Sequence, residues 1–295
     1  METLYRSLVL ITVSLVSAIS VKAQLNPLSA QYYTNQYVIN PAFAGSDEGL
    51  KLNGAYRKLW SNAPGTPLTQ NLTADYGFNK VGIGLTVNHE SAGLQRQTRV
   101  VGSYAYHLNL NDNNQLLHFG ISLGFMSQRL ENADIYGNPN DPTVEQYNDR
   151  KTYLDGDFGV VYTSGKLNLQ AAIPNLKSVL KKDVIKLADV ATFYTAVSYK
   201  IGISEGAVGM DVEPKIAYRG VSGFDNIWDA GAQFGIAKQV FLLAMYHSTG
   251  NATLGLGMDF SKKYLVSGTY TTPTTALTGY TNRSFELNLR VNLSK

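Results

Sequence analysis

Val81-Gly82-Ile83-Gly84-Leu85-Thr86-Val87-Asn88 alternates without a slip: every odd position is apolar and every even one is small or polar. Alternation at 180° per residue puts the two classes on opposite faces of an extended strand. Four more stretches repeat the pattern. Leu117, Phe119, Ile121, Leu123 and Phe125 alternate with His118, Gly120, Ser122 and Gly124. Leu254, Leu256, Met258 and Phe260 alternate with Gly255, Gly257 and Asp259. Val208, Met210, Val212, Ile216 and Tyr218 alternate with Gly209, Asp211, Glu213, Lys215 and Ala217, and Leu287, Leu289, Val291 and Leu293 with Glu286, Asn288, Arg290 and Asn292.

Length separates the two kinds of strand that alternate in this way. Strands of soluble sandwiches run to roughly 5–6 residues, whereas these run to about 9–12, the length a tilted strand needs to cross a bilayer. Fourteen candidates follow from Leu50 onward: 50–59, 67–77, 80–89, 94–109, 115–130, 152–163, 165–173, 189–201, 206–218, 227–236, 239–248, 251–261, 263–271 and 280–293. Their connections sort by parity. The even ones are tight (Phe78-Asn79, Asn111 to Asn114, Ser164-Gly165, Gly202 to Glu205, Ala237-Lys238, Lys262), and all the long ones are odd (Glu131 to Lys151, Pro174 to Ala188, Arg219 to Asn226, Thr272 to Gly279). Short turns at one end and long loops at the other are the habit of outer-membrane barrels.

The fold class read from this is all-β, a transmembrane antiparallel β-barrel of about 14 strands with short periplasmic turns and longer outside loops. Its apolar face points outward to lipid and its polar face inward. Tyr56, Tyr76, Tyr104, Tyr106, Tyr162, Tyr199, Tyr218, Tyr246, Tyr264 and Tyr270 fall near strand ends, where aromatic girdles sit. The alternative is ordinary strand tyrosine in a soluble sandwich.

Composition agrees with an unusual solvent. Only 16% of the 295 residues are charged, against roughly 25% in soluble domains, and there are 27 Gly and 19 Tyr. With no Cys, disulfides, thiolate metal sites and thiol catalysis are excluded. A net charge of +3, from 25 basic and 22 acidic side chains, is too even for a nucleic-acid binder. Mean hydropathy of −0.12 argues against a helical membrane protein.

Residues 1–23 read as a signal peptide. Arg6 supplies the charged start, Leu8 to Val21 the apolar core, and Val21-Lys22-Ala23 a cleavage site before Gln24. The mature chain then divides into residues 24–48, an N-terminal segment in the periplasm or the lumen, and residues 49–295, the barrel. Asn26 to Ser46 carries Pro27 and Pro41 as breakers and either enters the lumen or lines the periplasmic rim. Leu176 to Asp189 is read as a solvated basic loop, with a short amphipathic helix in an outside loop as the alternative. Pro214, in mid-strand, removes a ladder hydrogen bond and predicts a bulge.

Little in the chain points to catalysis. Gly120-Ile121-Ser122-Leu123-Gly124 matches a nucleophile elbow, but that chemistry needs a sharp strand-to-helix turn, and here the pattern lies within a strand. His89, His107, His118 and His247 show no metal-ligand spacing. Neither a cofactor nor a metal is expected, and the protein is not read as an enzyme. Asp155 with Asp157 and Asp211 with Glu213 project from one strand face in pairs, with Lys215, Arg57, Arg290 and Glu286 on inward faces. A lumen charge network that braces the barrel is the reading preferred over acid–base work.

Gln31-Tyr32-Tyr33-Thr34-Asn35-Gln36-Tyr37-Val38-Ile39-Asn40-Pro41-Ala42-Phe43-Ala44-Gly45-Ser46 resembles the opening motif of the PorP/SprF family of type IX secretion system membrane proteins. Tyr56-Arg57-Lys58-Leu59-Trp60 followed by Gly65-Thr66-Pro67-Leu68-Thr69, then Tyr104-Ala105-Tyr106 and Ile173-Pro174-Asn175-Leu176, also look like family landmarks. The resemblance implies an outer-membrane barrel of the Bacteroidota type, serving type IX secretion or gliding. Its partners would be a secreted surface protein or adhesin, periplasmic secretion components and outer-membrane lipid. Asn40, Pro41, Ala42, Gly45, Tyr56, Arg57 and Trp60 become candidates for partner or lumen contact. For Asn40 to Gly45 the alternative is a turn into the first strand, and for Arg57 an internal ion pair. Trp60 would be an interface anchor at the outer rim. A passive pore for small solutes is the competing function, and the placement of Asn26 to Ser46 separates the two.

Overall fold

The computed structural model describes residues 31–59, 65–111, 114–131, 148, 152–177, 191–204, 209–221, 225–273 and 283–293. The signal peptide, Trp60, most of the 176–189 segment and the longest loops lie outside the described residues.

Strands dominate: β1 (Gly49–Lys58), β2 (Leu68–Phe78), β3 (Val81–Ala92), β4 (Gln95–Asn111), β5 (Gln115–Leu130), β6 (Tyr153–Ser164), β7 (Leu167–Ile173), β8 (Ala191–Tyr199), β9 (Ile201–Ser204), β10 (Met210–Val221), β11 (Ile227–Ile236), β12 (Val240–His247), β13 (Asn251–Phe260), β14 (Tyr264–Thr271) and β15 (Ser284–Leu293). Every pairing between them is antiparallel, and β1 pairs with β15 from Leu50↔Leu293 to Lys58↔Phe285, so the sheet closes on itself. β8 and β9 both pair with β10 and are two pieces of one pass, which makes a closed barrel of fourteen passes. Closure leaves no strand edge, so the ladder satisfies the backbone N–H and C=O groups within the sheet, which hydrocarbon requires.

The barrel is inside out. Leu123 is 66% exposed on the outer wall, with Leu72, Ile83, Ile216, Leu256 and Leu287 also exposed there, while Thr73, Asp229, His247, Lys215 and Glu286 on the alternate positions are buried. Tight turns lie at one end, with Asn79, Asn114, Gly165, Ala237, Lys238, Ser261 and Lys262 in the left-handed region. The strand ends joined by the connections 132–151, 178–190 and 274–282 lie at the other end. No helix among the described residues is long and apolar enough to cross a membrane.

Two expectations, about the eighth and ninth passes, are corrected. It does not end at 201 in a turn from Gly202 to Glu205; after a break at Lys200 it continues as Ile201–Ser204. Nor does Pro214 produce a bulge. The pairing of β10 with its neighbour stops after Lys215↔Ser198 and resumes at Val212↔Ile201 in the same register. A proline lacks only its own N–H, so the ladder is interrupted opposite Pro214 without an inserted residue. The register shifts instead between Met210 and Asp211 and between Gly220 and Val221.

Candidate functional site: a plugged lumen

Residues 31–46 fill the inside of the barrel. They form one helical turn, α1 (Gln31–Thr34), and two 3₁₀ turns, Gln36–Val38 and Pro41–Phe43. The second turn is written locally. Pro41, with its fixed φ, stands first, and the Asn40 side chain accepts a hydrogen bond from the Ala42 N–H at 3.0 Å. The Asn40 amide also donates to the carbonyls of Ala171 at 3.1 Å and Val160 at 3.4 Å, tying the turn to β6 and β7. Gly45 has φ +59, and a Cβ there would strike the backbone of Gly77 and Gly82, so both conformation and space require glycine.

The wall is cut to receive this segment. A Cβ at Gly77 would overlap the carbonyls of Gly45 and Asp47, at Gly82 the Ala44 carbonyl, and at Gly84 the Tyr37 hydroxyl. At Gly120 it would overlap Pro41 and Ala42, and at Gly159 the Asn40 side chain. The small inward positions of the alternating strands therefore form a seat in which plug backbone lies flush against the wall.

Polar contacts run the length of the plug. Gln31 donates to Glu286 at 2.9 Å and to Asn288 at 2.8 Å, and Asn35 to Thr73 at 3.1 Å. Tyr32 donates its hydroxyl to Asp229, while its carbonyl accepts from Lys215 Nζ. Tyr33 donates to the Glu213 carbonyl at 3.2 Å, and the Lys215 ammonium sits 4.4 Å from the Tyr33 ring centre. Tyr37 donates to Ser103 at 2.9 Å, and Gly45 N–H donates to Asp75 at 3.0 Å. Burial pushes the hydroxyls of Tyr32, Tyr33 and Tyr37 above their usual range, so they remain protonated donors. Tyr32 also packs with Ala172, Tyr194, Ala196, Ala217, Leu243 and Met245, and Tyr37 and Ala44 pack with Ala105, two apolar patches among the polar lumen side chains.

The inward charges form separate clusters rather than one network. Asp155 and Asp157 are held by Arg99, at 3.3 Å and 2.7 Å, and also accept from the N–H groups of Lys177 and Asn175, at 3.2 Å and 3.0 Å. Glu213 meets Lys215 at 3.8 Å, Arg57 meets Glu286 at 3.9 Å, and Arg290 meets Asp259 at 3.2 Å. Asp211 meets the half-exposed Lys200 at 3.4 Å near the short-turn end. Tyr56 points outward against Phe285, 6.4 Å between ring centres, and so makes no lumen contact. Its neighbour Arg57 is the inward residue of the two, as strand parity demands.

Two clusters had no signal in spacing. Asp229 and His247 face each other across β11 and β12 and share a 2.6 Å contact, with Arg219 3.5 Å from the same carboxylate. His247 Nε2 meets Thr253 Oγ1 at 2.8 Å, and Thr253 meets Thr271 at 2.8 Å. The order carboxylate, imidazole, hydroxyl is that of a nucleophilic triad. Thr253 is fully buried and its hydroxyl is shared with Thr271, so the chain of bonds fixes the imidazole and the plug residue Tyr32 rather than presenting a nucleophile. The second cluster is His107 and His118, with Nδ1 atoms 2.7 Å apart. The Ala44 carbonyl can only accept from His107 Nε2, at 3.1 Å. In a neutral pair His107 Nδ1 is then the acceptor, His118 Nδ1 the donor, and His118 Nε2 accepts from Thr163. Ser122 of the elbow-like motif lies in regular β5, bonded to Ser103 at 2.7 Å. Among the described residues no group of three His, Asp or Glu side chains is placed to hold a metal ion.

The sequence profile of type IX secretion system membrane protein PorP/SprF matches residues 21–291. The chain belongs to that family. The stretch that carried the resemblance, Gln31 to Ser46, is the plug itself. Among solved structures the chain is similar to the outer membrane protein Omp33 of Acinetobacter baumannii, with TM-score 0.52 and 9% identity over 84% of this chain and 100% of that one. It is also similar to the CymD monoaromatic hydrocarbon channel, with TM-score 0.50 and 12% identity over 92% and 94%. At such identity the likeness is one of fold: an outer-membrane barrel. No curated protein sequence matches the chain.

Proposed function

We propose that this barrel is an occluded outer-membrane component of the type IX secretion system that helps export or hold a partner surface protein by protein contacts, and that it neither catalyses a reaction nor conducts solutes. The observation that supports this reading is the plug. A pore needs a water-filled lumen, and here the main chain at Pro41, Ala42, Ala44 and Gly45 lies flush against wall glycines while Gln31, Tyr32 and Asn40 bond to the wall. The family supplies the secretion context, and the surface protein and periplasmic secretion components are the partners proposed from it. In this reading the short turns face the periplasm and the long loops face outward, where they meet the partner. Asn40, Pro41, Ala42 and Gly45 set the plug, and Arg57 with Glu286 braces it near the long-loop end.

The test is affinity capture of the native protein from detergent-extracted outer membranes, with co-purifying chains identified by mass spectrometry, beside conductance of the purified protein in a planar bilayer. Recovery with a large surface protein or periplasmic secretion components, and a silent bilayer, is expected. Recovery alone with steady ion conduction would overturn the reading in favour of a passive pore.

A further inference from the structure

At the short-turn end, lysine recurs. Lys80, Lys166, Lys238, Lys262 and Lys263 stand exposed in four of the tight turns, and among the described residues none of them has an ion-pair partner. Lys200 is the exception, being paired with Asp211. Acidic residues lie at this end too: Asp47 and Glu48 where the plug leaves the lumen, with Asp47 taken by Lys51, and Asp211 and Asp259 paired with Lys200 and Arg290. Among the described residues the exposed turn positions at this end carry lysine and no carboxylate.

The circumference is also where the outward aromatic rings stop. Phe78 precedes Lys80, and Phe260 and Tyr264 flank Lys262 and Lys263, with these three rings 42–50% exposed. The Lys263 ammonium lies 5.5 Å from the Tyr264 ring centre. Aromatic girdles mark the boundary between hydrocarbon and head groups, so lysines one or two residues beyond them stand at head-group level. Turns this short project no loop past that level.

A second observation is independent of placement. Lys238 has φ 55 and Lys262 has φ 59, the left-handed region. At these turn positions glycine or asparagine costs less. Ala237 and Ser261 share that region at φ 53 and 54, so the conformation belongs to the turn; at its second position both turns carry an exposed lysine.

We infer that the short-turn rim is a docking surface for anionic phospholipid head groups of its own leaflet, gripped at the phosphates by Lys80, Lys166, Lys238, Lys262 and Lys263. The inference rests on the membrane placement of the barrel and not on its secretion partner, so it stands or falls separately from that reading. Cations level with the outward rings, as at Lys80, Lys262 and Lys263, fit a lipid plane better than they fit an acidic protein, which would need projecting contacts.

The experiment uses the full chain, purified in detergent and offered phosphatidylglycerol and phosphatidylcholine of matched tails, with retained lipid read by native mass spectrometry. The natural chain should retain phosphatidylglycerol preferentially, and each lysine removed should lower that retention roughly fivefold. The variant K80Q/K166Q/K238Q/K262Q/K263Q should lose the preference while remaining a folded, heat-modifiable barrel. K238G/K262G relieves the turns, so it should unfold at a higher temperature and yet bind phosphatidylglycerol more weakly. An outer-end control, R129Q/R283Q, should leave the preference intact. Retention of the preference by the five-lysine variant, or its loss in the outer-end control, would overturn the inference. So would an unchanged lipid preference in a variant that has lost capture of an acidic periplasmic protein.

Discussion

Replacing Gly82, Gly120 and Gly159 together by valine should evict the plug and leave the barrel standing. Each new side chain would occupy space held by Ala44, by Pro41 and Ala42, or by Asn40, and the overlaps at the first two involve backbone that cannot rotate away. Overpacking costs about 1–3 kcal/mol per site, so the three together oppose seating by on the order of 6 kcal/mol. Losing the Asn40 bonds to Ala171 and Val160 removes about 1 kcal/mol each from the seated state. Valine favours strands over glycine, and all three positions lie in regular β3, β5 and β6, so the wall itself is not weakened. An emptied lumen is at least as wide as the helical turn it held. Taking ~10 Å of width and ~30 Å of length, conductance should rise from none to on the order of 1 nS in 1 M KCl. The assay is single-channel recording in planar bilayers, with folding checked by heat-modifiable migration. A triple variant that folds and stays silent would refute the claim that plug and wall are matched through these glycines.

Other expectations follow from the same geometry. Asp229→Ala leaves Arg219 and His247 buried without their carboxylate and Tyr32 without its acceptor, so it should destabilise the barrel by about 3–5 kcal/mol, read as a lower unfolding temperature in detergent. Leu123→Arg changes a side chain 66% exposed at mid-strand; in water it would cost almost nothing, but facing lipid it should cost about 2–4 kcal/mol, measured by folding into vesicles against urea. The neighbouring Ser122→Ala loses only its bond to Ser103, about 1 kcal/mol. D155N/D157N weakens the grip of Arg99 and of the Asn175 and Lys177 N–H groups, so limited proteolysis near 175 should quicken while the barrel persists.

The strands were legible because their physics is local. Alternation in Val81 to Asn88 or Leu117 to Phe125 fixes which side chains face out whatever the rest of the chain does, and strand length together with loop parity then points to a membrane barrel. Parity also placed Asp155, Asp157, Glu213, Lys215, Glu286 and Arg290 on inward faces. Who meets whom inside could not be read this way, because it depends on pairing register and on the plug. Arg99 became the partner of Asp155 and Asp157, and Asp259 that of Arg290, through neighbours and facing strands that no spacing links. The Asp229–His247 pair needed the register of β11 against β12. Tyr56 shows the limit of a motif: it marks a position but not a face, and strand parity sent Tyr56 outward and Arg57 inward.

By itself, then, the sequence determined the barrel, its handling of lipid and its family, since each depends on periodicity or on a contiguous motif. Only the tertiary structure decided that residues 31–46 occupy the lumen and that glycines from four strands were shaped to receive them. The physical reason is that a seat depends on strand register and sheet curvature. Gly77, Gly82, Gly120 and Gly159 become neighbours of one short peptide only when β2 to β6 have paired in register and curved around it.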